Sequence, residues 1–193
     1  TNKNEFNKFC EKNSFWLDDY ALFCSLKDYF ISERKYLYDT PEIKNFKKET
    51  SKVLSENVQN DYFYGAVWTT WDKDISSRAP SAIKKWTEKL SEEIMYYKFI
   101  QYEFENQWTE LKAYAKENEI QIIGDIPIFV AFDSADVWAN PKNYILDSKG
   151  YPKCVAGVPP DYFSPTGQLW GNPIYDWDYM KENNYSWWIL RIK

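Results

Sequence analysis

The sequence predicts an α/β chain, and three observations carry that prediction. First, no glycine or proline interrupts the stretch between Pro80 and Gly124. Within it Ile83, Trp86, Leu90, Ile94, Tyr97, Ile100, Phe104, Trp108, Leu111 and Ala115 recur three or four residues apart, the period of one long amphipathic helix, or two in sequence, with an apolar stripe facing a core. Second, the pattern switches at Glu119. Ile120-Gln121-Ile122-Ile123 is a short, mostly β-branched run closed by Gly124-Asp125, which reads as a buried strand. A long helix feeding a buried strand implies parallel strands with helices packed on them. Third, residues 139–175 lack either period and are rich in proline, glycine and aromatic rings. An irregular segment of that length inside a compact domain is usually functional or disordered, and its rings and prolines speak for order.

The remaining elements follow in chain order. Residues 14–30, SFWLDDYALFCSLKDYF, read as a helix with Ser14 as N-cap and Asp18 and Asp19 near the positive end of its dipole. Trp16, Tyr20, Phe23, Leu26 and Phe30 fall at helical spacing, and the apolar residues occupy more than one face, so this helix should pack on two sides. Residues 31–65 are Lys-, Glu-, Asn- and Ser-rich and read as one or two surface helices ended by Gly65. AVWTTWDKDISSRAP then has short-loop character around Trp68 and Trp71. Asp133 to Trp138 reads as a short helix capped by Asp133 and stopped at Asn140-Pro141. Residues 179–192 read as a final helix with Trp187, Trp188 and Leu190 apolar.

Composition narrows the function classes. The chain has 193 residues and a net charge of −5, which argues against a nucleic-acid partner because phosphate binding needs surplus Lys and Arg. With no histidine there is no Ser-His-Asp triad, Cys-His pair or HExxH zinc site. Cys10, Cys24 and Cys154 are odd in number and lack CxxC spacing, so they fit a reducing compartment better than a disulfide frame or a metal site. No apolar run approaches the roughly 20 residues of a membrane span, and the polar N-terminus lacks a signal-peptide core. The expectation is a cytoplasmic chain without membrane contact, and its first residue, Thr rather than Met, suggests a piece of something longer. Aromatics are the outlier, at 20% with ten Trp. They can be core, or they can be flat platforms on which the apolar face of a sugar stacks.

The chemistry-bearing residues concentrate after Glu119. Asp125 stands at the carboxyl end of the expected strand, the face that holds active sites in α/β barrels. The stretch GVPPDYFSPTGQLWGNP, residues 157–173, combines four prolines and three glycines with Tyr, Phe, Leu and Trp. The prolines exclude a helix and a central strand, and a mere connector has no need of the rings.

At this point the chain resembles a known family. IIGDIPIFVAFDSADVWANP, VAGVPPDYFSPTGQLWGNPIYDW and YSWWILRIK, with FWLDDYALFCSLKDYF and FENQWTELKAYA before them, resemble the 4-α-glucanotransferases called amylomaltases or disproportionating enzymes, of the α-amylase clan. Residues 31–64 match no part of that pattern and look like a variable insertion. The resemblance implies a retaining transferase that cuts an α-1,4 bond in a maltodextrin and passes the glycosyl unit to another sugar's 4-hydroxyl, with no metal or organic cofactor. It implies a fragment of a (β/α)8 barrel, incomplete here, with a mostly helical inserted subdomain and barrel helix over residues 1–118. The barrel strand, the aromatic substrate loop and the following helix would occupy 119–193. It also implies substrate-binding roles for Asp125, Asp161, Tyr162, Phe163, Gln168 and Trp170, and loop shaping for Asn172. The nucleophile and the acid/base residue of the family are expected beyond Lys193, so no residue here is assigned as catalytic and the chain alone is expected to be inactive. Two other readings predict different behaviour: a maltodextrin-binding piece without chemistry, and a hydrolase using Asp125 and Asp161 as its carboxyl pair.

Overall fold

A computed structural model describes residues 3–34 and 39–192. Helix α1 runs from Lys3 to Arg34, much further than the expected 14–30. Nothing in residues 3–13 breaks a helix, and Phe6 anchors the early turns by packing edge-on against Tyr102, 5.6 Å between ring centroids. Ser14 is therefore mid-helix rather than an N-cap. Asp18 and Asp19 serve no dipole role; they pair with Lys98 and Arg78.

The surface helices expected in 31–65 are α2, Pro41–Thr50, and α3, Glu56–Tyr64; residues 35–38 of that stretch lie outside the described residues. Thr40 caps α2 by accepting from the Ile43 N–H, and Pro41 occupies the first turn, where its missing N–H costs nothing. Gln59 ties the two helices together by donating from Nε2 to the Thr50 hydroxyl and the Lys47 carbonyl, each at 2.8 Å. Gly65 ends α3, as expected. The Trp68–Trp71 stretch is not plain loop: Trp68–Thr70 is a 3-10 turn and α4 spans Lys73–Ser76.

The long periodic stretch is two helices, α5 (Pro80–Lys89) and α6 (Ser91–Glu117), parted at Leu90. α1 packs against α6 on one side and against the short helix α7 (Ala135–Ala139) on another, the two-sided packing that its pattern predicts. Trp86, Leu90 and Ile94 are buried, but further along the stripe Ile100, Phe104 and Leu111 face outward. The centre of the molecule is a ring cluster. Phe30 stacks on Trp71 at 5.5 Å, and Trp71 meets Trp138 at 5.7 Å. Three of its indole N–H groups have a carbonyl: Trp68 donates to Phe132, Trp71 to Ala66 and Trp138 to Ile75.

Two expectations for the second half need correction. The buried parallel strand at 120–123 is absent: residues 120–127 belong to no helix or strand, and Ile120, Ile122 and Ile123 are exposed. A parallel strand exists only with neighbours to bond, and none of the described residues supplies one. The sheet of the described residues lies instead inside the segment read as irregular. Strands β1 (Val155–Val158) and β2 (Gln168–Pro173) pair antiparallel, with Gly157 opposite Leu169 and Val158 opposite Gln168. The prolines fit this hairpin because Pro159, Pro160 and Pro165 sit in its connection and Pro173 ends a strand. The final helix is also divided, into α8 (Trp177–Glu182) and α9 (Ser186–Ile192).

Candidate functional site

The hairpin is a stiff projection. Gly157 lies so close to the opposite strand that a Cβ there would come within 2.4 Å of the Gln168 carbonyl oxygen, so only glycine permits the pairing. At the far end Gly167 has φ +73° and closes the turn with its N–H 3.0 Å from the Ser164 carbonyl, while the Ser164 hydroxyl donates back to the Gly167 carbonyl at 2.7 Å. Asp161 organises the tip. One of its carboxylate oxygens accepts from the backbone N–H of Phe163 at 2.9 Å and of Ser164 at 2.8 Å. Two prolines before it and one after Ser164 remove further backbone freedom.

This frame lifts two rings into solvent. Tyr162 is 95% exposed and Phe163 88% exposed, and they meet each other edge to face at 5.7 Å. Exposing that much aromatic surface forgoes the stabilisation that burial gives, so the tip is shaped for something other than folding. Lower on the hairpin, Trp170 donates its indole N–H to the Gln168 side-chain oxygen at 3.0 Å and leans on Phe129 at 6.2 Å.

The base of the hairpin is fastened to the segment that follows Asp125. Asn172 donates to the Val130 carbonyl at 2.8 Å, and the Tyr175 hydroxyl donates to the Ile128 carbonyl at 3.0 Å. Tyr175 also stacks on Phe129 at 6.1 Å with the rings 12° from parallel. Burial pushes the Tyr175 phenol up, with Arg191 acting the other way. The loop-shaping part expected of Asn172 is therefore specific: it ties β2 to residue 130. Tyr175 makes the matching tie, and nothing in the sequence singles it out, because an aromatic next to a proline-rich stretch carries no sign of a partner 47 residues away.

Five of the six sequence-predicted residues fall into two groups on the hairpin, and Asp125 stands apart. Asp161, Tyr162 and Phe163 form the tip; Gln168 and Trp170 form the shaft, against the segment that carries Asp125. Asp125 itself is exposed, and its carboxylate accepts from the N–H of the next residue, at 2.7 Å. Among the described residues no hydrogen bond, ion pair or ring contact joins Asp125 to the tip. The pair that a self-contained hydrolase would use makes no direct contact among the described residues, and one of the two Asp161 carboxylate oxygens accepts from two N–H groups.

Asp133 is corrected more sharply. It does not cap α7; Ser134 does, accepting from the Val137 N–H at 3.3 Å. The Asp133 carboxylate lies inside, ion-paired to Lys27 of α1 and accepting from the Trp68 N–H at 3.3 Å, while Lys27 also donates to the Gly65 carbonyl. Burial pushes the Asp133 carboxyl up, with Lys27 opposing. This junction fastens the start of the 133–143 segment, whose Val137 and Trp138 are core residues, to α1 and to the turn after α3.

A family model described as 4-alpha-glucanotransferase matches residues 1–193. A Synechocystis protein named 4-alpha-glucanotransferase is 45% identical over 192 residues, 99% of this chain and 32% of that protein. Its namesake from Clostridium butyricum is 44% identical over 189 residues, 97% of this chain and 32% of that one. Among solved structures, an amylomaltase from Streptococcus agalactiae in complex with acarbose superposes with a TM-score of 0.77 at 38% identity, covering 98% of this chain and 32% of that one. The chain thus spans about a third of the length of the relatives it matches.

Proposed function

The chain belongs to the 4-alpha-glucanotransferase family, and from that premise we propose that it forms the substrate-holding part of an enzyme moving α-1,4-glucan segments between maltodextrins by retaining double displacement. The observation that carries this reading is the exposed ring pair Tyr162–Phe163 held on a pre-stiffened hairpin. A retaining transfer needs two carboxyl groups about 5 Å apart, one to attack the anomeric carbon and one to give and then take a proton. Transfer outruns hydrolysis only when an acceptor sugar occupies the site and water is kept out. The hairpin suits this second requirement, because its rings stack on pyranose faces while Gln168 and Trp170 line the groove below. Asp125, at the start of the segment to which the hairpin is tied, hydrogen-bonds sugar hydroxyls near the cleavage point. The acarbose complex of the similar amylomaltase supports a saccharide as the occupant.

On this reading the carboxyl pair comes from outside these 193 residues, with the missing strands that would pair with 120–126 as part of a (β/α)8 barrel. Maltotriose separates the possibilities by product chromatography. The chain alone leaves it unchanged, and the chain within its full-length parent yields glucose and longer maltodextrins. Turnover by the chain alone would contradict the placement of the carboxyl pair. Silence of the full-length parent, with saturable maltodextrin binding, would leave binding without chemistry.

A further inference from the structure

A cavity of about 660 Å³ contains none of the six predicted substrate residues. Its volume is that of a small-molecule site. The wall is built from four parts of the chain. Trp68, Trp71 and Trp138 contribute from the central ring cluster, so that wall is rigid and its indole N–H groups are already satisfied. The turn 147–151 adjoins this wall. Gly150, at φ +86°, lies so close to Trp68 that a Cβ would stand 2.6 Å from the indole ring. The Asp147 carboxylate accepts from the N–H groups of Lys149 and Tyr151 at 2.8 and 2.9 Å, so the one acid of the lining is committed to its own turn.

Against that acid the lining sets Lys73, Arg78, Lys142 and Lys149. Lys149 is paired with Glu49 at 2.6 Å, whereas no ion pair holds Lys73 or Lys142 among the described residues. Arg78 is the informative one. It sits at φ +57°, directly after the C-cap of α4, a position where glycine would be relaxed and a side chain is strained. Its guanidinium lies over Trp138 at 4.3 Å and its Nη2 donates to Asp19 at 2.6 Å, which leaves Nη1 buried without a partner among the described residues. An unmet guanidinium N–H is costly unless an acceptor arrives.

We propose that this cavity is a binding site for a phosphate-bearing small molecule, its anionic oxygens taken by Arg78, Lys73 and Lys142 and its remainder lying along the tryptophan wall. The site is independent of the glucan reading, since it shares no residue with the hairpin. Tryptophan fluorescence of the chain, titrated at constant ionic strength with inorganic phosphate, glucose 1-phosphate and glucose, tests it. Saturation by a phosphate-bearing probe and not by glucose is expected, and comparison of the two phosphate probes shows whether the hexose is accommodated. The double variant Lys73→Gln/Lys142→Gln, on exposed positions, should weaken the response about tenfold or more with an unchanged urea midpoint. Arg78→Gly, which suits the left-handed backbone, should weaken it similarly. Equal affinity in the lysine variant, saturation by glucose alone, or no saturation by either phosphate probe would overturn the proposal.

Discussion

Two groups of aromatic rings in this molecule obey opposite rules. Trp138, Trp71 and Phe30 are 1%, 5% and 6% exposed, touch several other rings, and have every indole hydrogen matched to a carbonyl. Tyr162 and Phe163 touch mainly each other and face solvent, while order is built into the backbone beneath them through Asp161, Ser164 and Gly167. The first group builds the fold and the second is displayed by it. A high aromatic content alone cannot separate the two. What separates them is the backbone that carries them: Phe30 and Trp138 stand in helices and Trp71 ends a 3-10 turn, whereas prolines and glycines flank the second group.

The contrast can be broken most forcefully in the core. Trp138→Ala removes the ring that meets Phe23, Trp71 and the Arg78 guanidinium, and should cost about 3–5 kcal/mol, read as a large fall in the urea midpoint. Next comes the buried junction between Lys27 and Asp133. Lys27→Met leaves Asp133 without its counter-charge and should cost about 3 kcal/mol, the low end for a buried pair because the side chains keep 19% and 10% of their exposure. The same junction has a pH signature. Because the folded chain raises the Asp133 carboxyl above its ordinary value, the associated stabilisation is fully present below that ordinary value and is lost as pH rises through the raised one. The stability difference between wild type and Asp133→Asn should therefore shrink with rising pH across the acid range, and a flat difference would remove burial as the dominant cause.

At the tip the ordering reverses. Asp161→Ala deletes two turn hydrogen bonds and should cost about 1 kcal/mol, mostly as local loosening seen in amide exchange of residues 161–167. Tyr162→Ala with Phe163→Ala should change stability by no more than about 0.5 kcal/mol, because so little of either ring is buried.

Local features are far more legible in the sequence than partnered ones. The helical period of 83–115, the stop at Gly65 and the two-sided α1 are properties of neighbouring residues, and each appears in the structure. The full length of α1 is hidden because its first turns depend on Phe6 meeting Tyr102, far along the chain, and Ser14 offers a plausible but unused cap. The strand expected at 120–123 does not form because a β-branched run states a preference that only neighbouring strands can fulfil. The tip of the candidate site is legible from its prolines and rings. The ties of Asn172 to Val130 and Tyr175 to Ile128 are not, being long-range contacts with no sequence period. Asp133 reads as a cap because it stands beside one; its buried pairing with Lys27, 106 residues away, has no local trace.

The central claim is that the displayed rings serve an acceptor sugar and not the fold. The direct measurement is the ratio of transfer to hydrolysis on maltotriose for the full-length parent carrying Tyr162→Ala and Phe163→Ala, alongside its urea midpoint. The account predicts an unchanged midpoint with a ratio several-fold lower, as water reaches a site the acceptor no longer fills. An unchanged ratio, or a ratio that falls only together with the midpoint, would contradict it.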